Sequence, residues 1–144
     1  MSFHVYIAHA GFKDSAVDRE QWLAAARGRP ELVPLGKPEA ACFALASDSA
    51  QRLSLDPHGL VHTQNPSREL VVVMFELAEV LGAGVYSEKL KRYSSPQDWE
   101  ARTRSHRAQH QRHRAQLQRA RRRTQLLWAA GALGVLLVCW LLPG

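Results

Sequence analysis

Apolar positions along the chain change period several times, and each change marks an element. Phe3–Ala8 alternates around Val5 and Ile7, the period-two pattern of an opening strand, and Gly11 ends it. Asp18 stands where a helix N-cap belongs, with Gln21 three residues on, ahead of Trp22, Leu23 and three alanines. Gly28 and Pro30 stop that helix. Three prolines and a glycine between Pro30 and Pro38 make that stretch a loop. Ala41–Ala46 and Gln51–Leu55 read as strands, with Leu53 and Leu55 on one face. Asp56-Pro57-His58-Gly59 fits a type I turn, and Leu60–Thr63 returns as the next strand.

Arg68–Leu81 repeats Leu70, Met74, Leu77 and Leu81 at helical spacing before Gly82. Val71–Val73 alone would suit a strand, but the length and the terminal glycine favour a helix. Gly84–Tyr86 adds a short edge strand. Ser95-Pro96-Gln97-Asp98 opens another helix, and no proline or glycine interrupts it from Trp99 to Gly131. The expected fold is therefore α+β: a small mixed sheet with two packed helices, then a long C-terminal helix continuing into one transmembrane span. The expected parts are a head over 1–94, a basic juxtamembrane helix over 95–125 and an anchor over 126–142.

The anchor rests on Leu126–Leu142, seventeen residues without a charge. As a helix they extend about 26 Å, at the short end of what crosses a ~30 Å hydrocarbon core. A buried soluble helix would keep a polar face, and this run has none. Trp128 and Trp140 stand near its two ends, where indole rings favour the headgroup boundary. Arg119, Arg121, Arg122 and Arg123 precede it, and only Pro143 and Gly144 follow. The positive-inside rule then puts the N-terminal head in the cytoplasm, with a bacterial inner membrane as the expected setting. An anchor this close to the C-terminus implies tail anchoring and insertion after synthesis. Ala130 and Gly134 form a small-xxx-small pair that would let two copies pack as a homodimer. The N-terminal stretch MSFHVYIAHAGFKDS lacks the charged start and long apolar core of a signal peptide.

Charge divides the chain in two. Residues 1–100 hold ten Lys/Arg and thirteen Asp/Glu, a net of −3, whereas residues 101–144 hold nine Arg and no acid, a net of +9. In the basic segment 101–125, Leu117 is the one large apolar residue, so no apolar stripe exists for a coiled coil or an interfacial helix. Anionic lipid headgroups are its expected partner, through the four arginines nearest the run. Nucleic acid is the competing partner, weakened by the absence of aromatics for stacking.

Candidate chemistry is thin. His106, His110 and His113 share a helical face, but Arg107, Arg112 and Arg114 surround them and would repel a cation. Ser15, His9 and Asp14 supply triad residue types without a G-x-S-x-G frame. No phosphate-binding loop, dinucleotide glycine fingerprint, CxxC or HExxH occurs. Cys42 and Cys139 lie in segments that do not meet, which argues for a reducing compartment. No cofactor, metal or catalytic residue is therefore expected. Arg68, Tyr86, Lys89, Arg92 and Tyr93, with Glu69 and Lys91 beside them, are the expected surface for a protein partner, since Tyr and Arg concentrate at such contacts.

These readings lead to a cytoplasm-facing, non-enzymatic protein-interaction module held at a membrane. The alternatives are a membrane-acting toxin or immunity-type antagonist, and an enzyme with an unrecognised site. The topology is directly testable. The head should resist added protease in intact cells and be cut after permeabilisation; digestion in intact cells would reverse the orientation.

Overall fold

Two polar side chains start the helices that carry the core. Asp18 Oδ2 accepts a 3.0 Å bond from Gln21 N and begins α1 (Arg19–Arg27). Ser67 Oγ accepts one of 3.2 Å from Leu70 N and begins α2 (Arg68–Val80). Each cap satisfies a donor that the first helical turn leaves open. The C-terminus of α2 closes with Gly82 N on Glu79 O and Ala83 N on Ala78 O, a Schellman pair. That pair needs a left-handed residue, and Gly82 supplies it at φ +62°. The computed structural model describes residues 3–12, 16–37, 40–109, 111–113 and 115–118.

Six strands form one sheet: β1 (His4–Ala8), β2 (Leu32–Pro34), β3 (Cys42–Leu45), β4 (Arg52–Leu55), β5 (Val61–Gln64) and β6 (Gly84–Ser87). Their order is β2-β3-β4-β5-β1-β6. Every pairing is antiparallel, where a mixed sheet was expected. The reason is the place of β1. It lies between β5 and β6, so the two strands joined by α2 run the same way without touching. The turn after β4 is as expected: Gly59 N bonds Asp56 O, and Asp56 Oδ1 takes the amides of His58 and Leu60.

The supposed loop from Pro30 to Pro38 contains β2. Proline is tolerated there because β2 is an edge strand and Pro34 turns its missing donor outward.

Strand alternation sends Val5, Ile7, Phe43, Leu45, Leu53, Val61 and Val85 to one face, where they form a core with Trp22, Leu70, Met74 and Leu77 from the helices. Trp22 is fully buried, meets Phe43 edge to face at 5.6 Å and donates Nε1–H to Ala41 O at 3.0 Å. The same carbonyl accepts Leu55 N at 3.3 Å, which helps hold Ala41 at a left-handed φ of +46°. One acceptor thereby ties α1 to the strands beneath it.

A third helix, α3, covers 96–109, with residues 111–113 and 115–118 also helical. Ser95 Oγ caps it by accepting Asp98 N at 3.1 Å. The chain divides into two units, Met1–Glu100 and Ala101–Gly144. Within the first, Trp99 is 5% exposed and joins the head's core, its ring 6.4 Å from that of Phe3. Among the described residues no helix is long and apolar enough to cross a membrane; the run Leu126–Leu142 lies outside them.

Trp99 bears on where the head ends. Removing a buried tryptophan costs about 3–5 kcal/mol. A head truncated after Ser94 should therefore unfold at markedly lower denaturant than one truncated after Gln109, and Trp99→Ala in the longer form should reproduce most of the gap. Equal midpoints would show that Trp99 adds nothing to the head.

Candidate functional site

The face opposite the core receives neither α1 nor α2. Register decides which side chains share it. Cys42 pairs with Ser54, Ser54 with His62, His62 with Tyr6, and Tyr6 with Tyr86. An isolated bridge places Arg92 beside Tyr86. These six form one row across the sheet, and neighbours in such a row stand about 4.5–5.5 Å apart at Cβ. His4, two residues along β1, stacks on Tyr6 with centroids at 6.3 Å, and its amide donates to Glu88 Oε1 at 2.8 Å. At the far side Phe12 meets Tyr86 edge to face at 4.7 Å. A Cβ at Gly84 would lie 2.9 Å from Arg92 Nε and 3.0 Å from the Tyr86 ring, so only glycine lets these two side chains close over the strand.

The chemistry of the row is that of contact rather than proton relay. Ser54 Oγ donates to Cys42 Sγ at 3.1 Å, so its proton is directed away from His62. His62 Nδ1 is sealed from solvent and lacks a hydrogen-bond partner among the described residues. Burial, followed by the negative charges of Glu88 and Asp56, raises the Tyr6 phenol above its ordinary 10.0. Tyr6 is thus a neutral donor at physiological pH. Among the described residues no three His, Cys, Asp or Glu side chains are placed to hold a metal ion. His106 and His113 are exposed, and His110 is outside the described residues. So are Asp14 and Ser15, while His9 Nδ1 contacts Gly82 O at 3.3 Å.

A second feature lies on the helix side. An open groove of about 830 Å³ runs between α2 and the 92–94 segment, with Glu76, Glu79, Ala83, Val85 and Arg92 among its walls. Neither His9 nor His58 lines it. Glu76 already pairs with Arg29 at 2.7 Å.

The residues expected to form one partner surface are divided. Arg68 starts α2 and faces Glu100 at 3.7 Å. Lys89 and Arg92 are exposed on the hairpin that follows β6. Tyr86 and Tyr93 are only 7% and 8% exposed, Tyr93 in the core and Tyr86 beneath Phe12 on the opposite face, so they are not the surface residues their composition suggested. Arg119, Arg121, Arg122, Arg123, Trp128, Ala130, Gly134 and Trp140 lie outside the described residues. The row of Cys42, Ser54, His62 and Tyr6 was missed in the sequence. Alternation alone groups His4 with Tyr6, but pairing register is needed to add the others.

Both edges of the sheet withhold backbone donors. In β2 the register turns the backbone groups of Leu32 and Pro34 away from β3; Leu32 N bonds Arg29 O and Pro34 has no donor. Beyond β6, Ser87 N bonds Lys91 O and Tyr93 N bonds Val85 O. Recognition by strand addition therefore finds few free donors to use.

Because the folded head holds the Tyr6 proton more tightly than the unfolded chain, this group's contribution is complete below 10.0 and is lost as pH rises through the raised value. A Tyr6→Phe chain should lack that alkaline loss. Glu88→Gln should lower the Tyr6 midpoint without restoring the ordinary value, since burial is the larger cause; ultraviolet titration measures both. Compared with known proteins, the chain matches no protein-family model, and no curated protein or solved structure matches it.

Proposed function

We propose that this chain is a non-enzymatic protein-interaction module held at a membrane. In this reading Leu126–Leu142 is a single span and Arg119, Arg121, Arg122 and Arg123 keep the head on the cytoplasmic side against anionic headgroups. Trp128 and Trp140 settle at the two boundaries, and Ala130 with Gly134 offers a packing face for a second copy. The protein partner binds the sheet face opposite α1 and α2.

One observation carries the partner reading: the continuous patch of His4, Tyr6, His62, Ser54 and Arg92 on a sheet face that neither α1 nor α2 covers. Tyrosine and arginine dominate the centres of protein interfaces because they bury large areas while keeping polar atoms to pair. With few donors free at either sheet edge, the face is the broader surface for recognition.

The test compares two sets of full-length variants in affinity capture. Tyr6→Ala with His62→Ala should lose a partner that the wild-type chain retains, by tenfold or more in affinity for a tyrosine at a hot spot, about 1.4 kcal/mol or above. Val72→Ser, on the exposed side of α2, should retain it. Undiminished capture by the sheet-face variant, or loss only in the α2 variant, would move the binding surface elsewhere.

A further inference from the structure

The geometry points to the hairpin after β6 as a second membrane contact, one that docks the head onto an anionic bilayer. This rests on the reading of Leu126–Leu142 as a membrane anchor. Ser87 holds the hairpin closed from three sides: its carbonyl accepts Leu90 N at 2.9 Å, its Oγ accepts Lys91 N at 3.2 Å, and its amide donates to Lys91 O at 2.9 Å. Leu90 closes the turn at φ +57°, a left-handed conformation that glycine adopts freely and leucine does not. It is also 59% exposed. Its exposed side chain adds little burial to the fold, and backbone strain of this kind concentrates at binding sites.

The charges around Leu90 specify the surface it fits. Lys89 and Lys91 flank it, and neither is ion-paired among the described residues. Arg92 follows. The nearby acid, Glu88, is engaged by the His4 amide. A protruding tip with one apolar side chain offers too little area for a specific protein interface. It suits a bilayer, where leucine enters the headgroup boundary and the two ammonium groups meet lipid phosphates.

The experiment is amide hydrogen exchange on the full chain in lipid nanodiscs, either phosphatidylcholine alone or phosphatidylcholine with phosphatidylglycerol. Amides of residues 88–92 should exchange several-fold more slowly on the anionic discs, and added salt should remove the difference. Lys89→Gln with Lys91→Gln should abolish it. Leu90→Gly should abolish it as well while raising the thermal midpoint of the head, because glycine relieves the backbone; a merely structural leucine would not move these two readouts in opposite directions. Equal exchange on both discs, or wild-type protection in the Leu90→Gly chain, would overturn the hairpin contact. Protection that appears only on adding a captured protein partner would overturn it in favour of a protein interface. If the chain washes out of both kinds of disc at alkaline pH, the anchor reading fails first and the hairpin contact with it.

Discussion

Everything in the head depends on β1 being hydrogen-bonded along both sides. It pairs with β5 on one side and with β6 on the other, so the first strand of the chain completes its sheet only when the last has arrived. That demand makes β5 and β6 run the same way on either side of β1 and makes α2 the bridge across it. It also fixes which side chains meet. Val5 and Ile7 enter the core because β1 is central; His4 and Tyr6 join Ser54 and His62 for the same reason. The core and the candidate site are the two faces of one register, and slipping it by a single residue would exchange them.

Local chemistry made much of this legible in advance. Asp18 and Ser95 each cap a helix by a side-chain bond three residues long, which sequence spacing reports directly. Asp56–Gly59 and Gly82 likewise declare their turns. What stayed hidden is non-local. β2 was concealed by Pro34 and the prolines on either side of it, whose effect depends on whether the strand is at an edge. Tyr86 and Tyr93 look like surface residues by composition, yet Phe12, from the far end of the head's sequence, packs on Tyr86, and Tyr93 pairs with Val85. Trp99 lies beyond the expected end of the head at residue 94 and still belongs to the core, because its partner Phe3 is at the opposite end of the chain's first unit.

Under the proposed function, the polar face and the hairpin divide the work of recognition by shape. A broad, half-buried face of aromatic and hydrogen-bonding groups suits a partner with a surface of its own, whereas a narrow basic tip suits a smooth one. The two lie close in the chain, since Arg92 ends the row that Cys42 begins and immediately follows the hairpin lysines. A head occupied at one of them is therefore constrained in how it meets the other.

The blunted edges have a consequence for crowding. Sheets with open edges recruit one another into growing assemblies when copies are concentrated. Here Pro34 withholds a donor at one margin, and the Lys91–Tyr93 segment covers the other with a lysine and an arginine outermost. A neighbouring copy of this head therefore meets few donors with which to extend its own sheet, even where copies are dense.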